Sequence, residues 1–142
     1  MPSDNVAIEF KSYTKPSEFI DDLEARIAGA RSRLKELEGR IDSLREKADI
    51  LDKLSSLLAS PQVSHSPSMF EAGLAGAKLL VNPTPSQELE VLEYTVSRLK
   101  AMIAALESVL SEVKALEGLG DVGLVLDVVY ENGIPTKILL KI

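Results

Sequence analysis

Residues 20–51 read IDDLEARIAGARSRLKELEGRIDSLREKADIL, and their apolar side chains recur in alternating steps of three and four residues. The series consists of Ile20, Leu23, Ile27, Ala30, Leu34, Leu37, Ile41, Leu44, Ala48 and Leu51. Such a heptad repeat keeps one seam of a helix turned toward a partner helix. Because no proline interrupts the series, the stretch predicts one long helix.

A second heptad series, later in the chain, predicts the partner helix. It consists of Leu89, Leu92, Val96, Leu99, Ile103, Leu106, Leu110 and Val113. If the two helices run antiparallel, one register opposes each small alanine of the first seam with a leucine and also joins four oppositely charged pairs. These pairs are Glu24 with Lys114, Arg31 with Glu107, Glu38 with Lys100, and Arg45 with Glu93. The sequence therefore predicts an antiparallel coiled-coil hairpin, although the alternating charges leave a swapped dimer open.

Strand signals occur at both ends of the chain. Apolar residues alternate over 6–10, and Asn132-Gly133 separates two β-rich runs with the residues that a type I′ hairpin turn requires. In that hairpin we expect Val129 to face Thr136. Because antiparallel helices bring the chain ends together, we predict a three-stranded antiparallel sheet formed by the N-terminal strand and the C-terminal β-hairpin.

The predicted fold is a single α+β domain over residues 1–142. Its parts are an N-terminal strand (1–14), helix 1 (17–58), a tip insertion with a short helix (59–85), helix 2 (86–117) and a β-hairpin (122–142). Ser17 and Ser86 are the expected N-caps of the two helices.

The tip insertion is far longer than the usual helix-to-helix connection of about 2–8 residues. Ser66-Pro67 can begin the short helix, and the apolar residues that follow fall on one side of it. Four of them, Met69, Phe70, Leu74 and Leu80, form a predicted partner-binding surface. The alternative is a simple cap over the end of the helix pair.

Composition and motifs give no indication of catalysis. Cysteine is absent, and His65 is the single histidine, with no second ligand near it in the sequence, so we expect no metal site. No other residue cluster points to chemistry, so we also expect no cofactor and no enzyme activity. Gly118, Gly120 and Gly123 spell G-x-G-x-x-G, but the helix precedes the strand, which is the reverse of a dinucleotide site. Acidic pairs such as Asp21-Asp22 fit a solvated helix face.

One ordered basic stripe runs along helix 1. Arg26, Arg33, Arg40 and Lys47 recur every seven residues and could contact phosphates. Their stems also suit the coverage of apolar surface beside the seam, and the net charge of −6 argues against nucleic acid as a partner.

Self-association is expected because both faces of the C-terminal hairpin are apolar. The predicted oligomer interface consists of Val125, Val129, Ile134, Ile138 and Leu140 on one hairpin face, with Gly29 and Gly39 on the outer side of helix 1. Leu139 is expected on the opposite face. Mid-helix glycine favours close helix packing, which a second copy could supply as a homodimer or larger assembly.

The sequence indicates a non-enzymatic coiled-coil assembly or adaptor protein that binds itself and an unidentified protein. A holdase chaperone that binds clients at the tip, as prefoldin does, is the first alternative, and a nucleic-acid accessory subunit is the second. Prefoldin subunits place β-hairpins between two helices, whereas here strands are predicted to flank the pair, so the chain is not assigned to that family. We expect a cytoplasmic location without membrane insertion. The scarcity of Asn and Gln and the lack of Cys resemble thermophile usage.

Overall fold

The computed structural model describes residues 7–58, 70–74, 76–119 and 123–142. Its elements, in chain order, are β1 (Ile8–Tyr13), α1 (Pro16–Leu58), β2 (Phe70–Leu74), β3 (Ala77–Val81), α2 (Pro85–Val113), a 3-10 helix (Lys114–Leu119), β4 (Val125–Glu131) and β5 (Ile134–Lys141). β1, β4 and β5 form an antiparallel sheet in the order β1-β4-β5. The predicted α+β class, two helices and three-stranded sheet are therefore confirmed.

Both helices begin at a proline, Pro16 and Pro85, one residue before the predicted start. Ser17 therefore lies inside α1 and is not its N-cap. Proline suits the first helical position because its missing N–H has no partner there in any case. The cap of α2 is Thr84 and not Ser86: the Gln87 N–H donates to Thr84 Oγ1 at 3.2 Å, and the Thr84 N–H donates to Gln87 Oε1 at 2.9 Å. This reciprocal capping box satisfies two backbone donors at once. α2 ends at Val113, four residues before the predicted end, and continues as the 3-10 helix.

The chain divides into two compact units, which are described separately. The hairpin unit contains Leu34–Arg98, and the sheet unit contains Pro2–Arg33 with Leu99–Ile142. The buried cluster of the hairpin unit consists of Ile41, Leu44, Leu92 and Val96, flanked by Leu34, Leu37 and Leu89. All seven belong to the two predicted heptad seams, so the seams do form the core of this unit.

The sheet unit has a core of helix and strand side chains. Its fully buried members include Phe19 and Leu23 of α1, Leu106 of α2, and Leu126, Val128 and Tyr130 of β4. The three β4 residues alternate along the strand, so they share the inner face of the sheet. β4 is the central strand, which explains why its inner face is the most completely buried.

The predicted short helix of the tip is wrong. Phe70–Leu74 and Ala77–Val81 are antiparallel strands that form a β-hairpin, with Phe70 opposite Val81 and Leu74 opposite Ala77. Gly76, in the connection between them, has a φ of 89°, a conformation that glycine adopts without strain. Residues 59–69, which include Met69 and the Ser66-Pro67 start signal, lie outside the described residues.

The Asn132-Gly133 turn is confirmed as a hairpin connection. Both residues have positive φ, 54° and 81°, as a type I′ turn requires. Asn132 also fixes the start of β1, since its N–H donates to the Ala7 carbonyl at 2.8 Å and its Oδ1 accepts from the Ala7 N–H at 3.2 Å.

The register beyond this turn differs from the prediction. Val129 lies opposite Lys137 and not Thr136, because the ladder shifts between Val129 and Tyr130. Thr136 is the extra residue of this bulge, and its hydroxyl lies 3.4 Å from the Val129 carbonyl. Pro135 holds φ near −65°, far from the −140° of a regular antiparallel strand, so an irregularity beside it is physically reasonable.

The bulge changes which side chains of β5 share a face. A shift of one residue moves every later side chain to the other side of a sheet. Leu139 lies opposite Asp127 and therefore joins Val125 and Val129 on the outer face. Ile138 and Leu140, which lie opposite Val128 and Leu126, are on the inner side. The predicted five-residue hairpin interface therefore does not occupy one face.

Gly133→Ala is expected to lower the free energy of unfolding by about 1–2 kcal/mol, because its left-handed backbone is unfavourable for a residue with a Cβ. The new Cβ would also lie 3.0 Å from Met102 Cε. Chemical denaturation measures the change. Gly118→Ala, where nothing lies within 4 Å of the Cβ position, is the control. Equal destabilisation of both variants would contradict the role assigned to the turn.

Candidate interaction surfaces

The outer face of the three-stranded sheet exposes large apolar side chains. Residues that lie directly opposite each other in antiparallel strands share a face, so the pairing defines this surface. Its exposed apolar members are Ile8 (68%), Phe10 (61%), Val125 (38%) and Leu139 (48%), and Val129 and Ile134 are half-buried among them. We call this set the outer sheet face. The same pairing places the charged residues Glu131 and Lys137 on this face. An exposed apolar surface rimmed by polar residues is typical of protein–protein contacts.

A charged cluster lies in the middle of the outer sheet face. Asp127, on the central strand, is only 6% exposed. Its carboxylate accepts from Ser12 Oγ on β1 at 2.6 Å and from Lys141 Nζ on β5 at 2.6 Å. These two hydrogen bonds lower the pKa of Asp127 and stabilise its charged form. The cluster joins all three strands and holds the ammonium group of Lys141 over the centre of the sheet.

A second polar cluster lies on the inner side of the sheet and involves the start of α1. The Tyr13 hydroxyl contacts both the Asp22 carboxylate and the Tyr130 hydroxyl. The Tyr130 hydroxyl lies 3.4 Å from Asp22 Oδ2, the same oxygen that Tyr13 contacts. Lys11 Nζ also donates to Asp22 Oδ2, at 3.2 Å. The two tyrosines are buried, so these hydrogen bonds are made largely out of water.

Arg26 completes this inner cluster. Its guanidinium group lies 4.0 Å from the centre of the Tyr130 ring, a cation–π contact, and its Nη2 donates to Glu9 at 3.2 Å. Arg26 Nε is 3.6 Å from Asp22 Oδ1. Arg26 therefore connects α1 to β1 and β4, and this residue of the predicted basic stripe has protein partners instead of an open phosphate-binding position.

The pKa shifts in the inner cluster oppose acid–base catalysis at neutral pH. Burial raises the pKa of both Tyr13 and Tyr130. Partial burial alone would raise the pKa of Asp22, but hydrogen bonds from Tyr13 and Lys11 and the charge of Arg26 hold it below its usual value. A general acid or base works best with a pKa near the ambient pH, whereas these shifts move away from it. These shifts favour protonated tyrosines and an ionised Asp22 at neutral pH.

Sequence reasoning missed the inner cluster and assigned Asp22 to a solvated helix face. The signal that could have found it is the pair of aromatic hydroxyls at the ends of two predicted strands, since a buried tyrosine needs a hydrogen-bond partner. Only the folded chain brings Tyr13 and Tyr130, which are 117 positions apart, to the same carboxylate.

The predicted tip surface is described only in part. Leu80 is on β3, opposite Glu71, and is half-buried. Phe70 and Leu74 are on β2, but their side chains lie outside the described residues, as does the whole of Met69. Leu79 and Val81, neighbours of Leu80, are each 37% exposed.

The remaining predicted sites lie along α1. Arg33, Arg40 and Lys47 are exposed, and Arg40 and Lys47 line a shallow depression of about 400 Å³ in the hairpin unit together with Glu36 and Glu88. Contact with phosphates stays a prediction for these three residues. At Gly29 and Gly39 nothing lies within 4 Å of the Cβ position, so both glycines leave open space on the helix surface.

Within the described part of the chain, no three His, Cys, Asp or Glu side chains are grouped closely enough to hold a metal ion. No described helix is long and apolar enough to cross a membrane. Comparisons of the chain with protein families, curated proteins and solved structures find no match. The functional argument therefore rests on the surfaces themselves.

Tyr13→Phe is expected to lower the free energy of unfolding by about 1–3 kcal/mol, because it removes a buried hydroxyl that both Asp22 and Tyr130 contact. Urea denaturation measures the change. Tyr94→Phe is the matched control, since Tyr94 is 67% exposed and its hydroxyl is accessible to water. A Tyr13 variant no less stable than the Tyr94 variant would show that the inner cluster contributes nothing to stability.

Proposed function

We propose that this chain is a non-enzymatic coiled-coil assembly or adaptor protein that self-associates and presents the hairpin unit to an unidentified protein partner. A cytoplasmic location and, from composition alone, a thermophilic source are part of the same proposal. The observation that carries the proposal is the outer sheet face, with four large apolar side chains exposed around a charged centre. The occupant we propose for this face is the same face of a second copy, in a sheet-on-sheet arrangement.

The size of the outer sheet face supports a second copy as the occupant. The exposed fractions of Ile8, Phe10, Val125 and Leu139 add up to about two whole side chains. At roughly 200 Å² for a large side chain, they supply about 400 Å² of apolar area. A standard interface takes about 800 Å² from each partner, of which about 60% is apolar. The face therefore offers most of the apolar area that a stable dimer needs.

The coiled-coil hairpin is part of the same proposal. In the sheet unit, Arg31 pairs with Glu107, and in the hairpin unit Arg45 Nη2 lies 2.8 Å from Glu93 Oε2. Both pairs are ones that the antiparallel register predicts from sequence. The buried seam residues of the hairpin unit support the same register, because both heptad series contribute to one cluster.

The test of self-association is the mass in solution, measured by light scattering after size exclusion at several protein concentrations. The unmodified chain should have a mass at least twice its 15.4 kDa. Phe10→Ser with Leu139→Ser should lower that mass, because it removes apolar area from the outer sheet face.

Ile138→Ser with Leu140→Ser is the matched control, since these partly exposed residues are on the other side of the same sheet edge. The control pair should leave the mass unchanged. A 15.4 kDa monomer at every concentration, or an equal loss of mass in both variants, would exclude the outer sheet face as the interface.

A holdase chaperone is the second candidate, and one observation favours it. The β2–β3 hairpin lies between the two helices in the chain, which is the feature of prefoldin subunits that the sequence interpretation found lacking. The hairpin also exposes Leu79 and Val81. An apolar hairpin at this position suits contact with unfolded clients.

The holdase candidate predicts that the chain suppresses aggregation of a thermally unfolded client enzyme, measured by turbidity. Leu79→Ser with Val81→Ser should abolish the effect, whereas Ile138→Ser with Leu140→Ser, which removes equivalent side chains from β5, should preserve it. If the chain does not slow client aggregation even at about tenfold excess over the client, the holdase function is excluded and the assembly role remains.

A further inference from the structure

The hairpin unit carries a second apolar surface, separate from the sheet unit. On α1, Ile50, Leu54 and Leu57 are spaced by four and three residues, so they share one side of the helix. All three are exposed, by 56%, 40% and 81%. They do not belong to the heptad seam, which continues through Ala48 and Leu51. Burial against α2 therefore does not explain this stripe.

One residue of α2, Val91, extends the surface. Val91 and Tyr94 are 49% and 67% exposed, and both line a depression with Lys78 and Leu80 of β3. The depression of about 400 Å³ in the hairpin unit shows which sides of the helices adjoin, because Lys47 of α1 and Glu88 of α2 both line it. Ile50 follows Lys47 by three residues and Val91 follows Glu88 by three, so each apolar residue is on the same side as its charged neighbour.

The area of this surface is close to the apolar part of a protein interface. Its four apolar side chains, Ile50, Leu54, Leu57 and Val91, are between 40 and 81% exposed, and together they expose about two and a quarter whole side chains. At roughly 200 Å² each, this is about 450 Å² of apolar area. A standard interface takes about 800 Å² from each partner, of which about 60% is apolar. The surface therefore offers most of the apolar area that a protein-sized occupant needs.

We propose that this surface, which we name the helix-pair face, docks on the helix-pair face of a second copy to form a four-helix arrangement. The face is defined by Lys47, Ile50, Leu54 and Leu57 of α1 and by Glu88 and Val91 of α2. A two-fold axis between the copies places α1 of one copy over α2 of the other, and the reverse contact follows by symmetry. This site is distinct from the outer sheet face, so a chain with both interfaces builds assemblies larger than a dimer.

Charge complementarity selects the second copy as the occupant. The face has a basic residue on α1, Lys47, and an acidic residue on α2, Glu88, each next to the apolar stripe of its helix. When α1 of one copy lies over α2 of the other, Lys47 of each copy comes near Glu88 of its partner. Glu36 and Arg40 of α1 also line the depression and offset each other in charge, so α1 contributes a net positive charge and α2 a negative one. Such a face is complementary to itself.

The test is a charge exchange in the full chain carrying Phe10→Ser and Leu139→Ser, which disables the outer sheet face. This parent chain should still form a dimer through the helix-pair face. Lys47→Glu makes positions 47 and 88 both acidic, and Glu88→Lys makes both basic. Each variant alone should be a monomer by light scattering, because residue 47 of each copy then repels residue 88 of the other.

Mixing the two variants should restore a dimer that contains one copy of each, identified by native mass spectrometry. Asp42→Lys, which changes the charge as much as Glu88→Lys but lies on a different side of α1, should leave the parent dimer intact. Circular dichroism checks that every variant keeps its helix content. A monomeric parent, charge variants that remain dimeric, or a mixture that does not pair would each overturn the proposal.

The outcomes separate this proposal from the proposed function. If the outer sheet face is not an interface, Phe10→Ser with Leu139→Ser leaves the mass of the chain unchanged. If the helix-pair face is not an interface, the parent chain is a monomer or the charge exchange does not restore a dimer. Neither result determines the other, because the two faces share no residue.

Discussion

The pairing of β4 with both β1 and β5 is the constraint on which the sheet unit depends. β4 is the central strand, its inner residues Leu126, Val128 and Tyr130 are fully buried, and its outer Asp127 binds both neighbouring strands. A hairpin of β4 and β5 alone would be marginal in water, so β1 from the opposite end of the chain is needed. Formation of the sheet therefore requires the two ends of the chain to meet.

Polar contacts on both sides of β4 stabilise the pairing of β1 with the β4–β5 hairpin. The outer carboxylate of Asp127 connects the three strands, and the inner cluster attaches the sheet to the first turns of α1 through Asp22 and Arg26. Each cluster contains a carboxylate whose pKa is lowered, so both act as ionised acceptors at neutral pH. The charge of Asp127 is therefore satisfied within the sheet by Ser12 and Lys141.

The parts of the fold that could be predicted are those with a local chemical cause. Heptad spacing predicted both helices, the serine and proline signals placed their starts to within one residue, and Asn132-Gly133 predicted the turn from its need for positive φ. The tip was wrong because its apolar spacing suits one side of a short helix and also a pair of strands, and periodicity over so few residues does not distinguish them. The β5 faces were wrong because a bulge beside Pro135 reverses the alternation, and no sequence pattern marks the extra residue.

By itself, the sequence determined where the long helices begin, which residues form their seams, the partners of two interhelical ion pairs and the C-terminal turn. Each follows from contacts at fixed spacing along a helix or from the φ preference of one or two residues. Only the tertiary structure decided that Tyr13, Asp22 and Tyr130 come into contact and that Leu139 joins Phe10 on the outer sheet face. It also decided that Arg26 contacts Tyr130 and Glu9 within the chain. These outcomes depend on the pairing of residues more than 100 positions apart and on a one-residue shift in register, which local preferences do not encode.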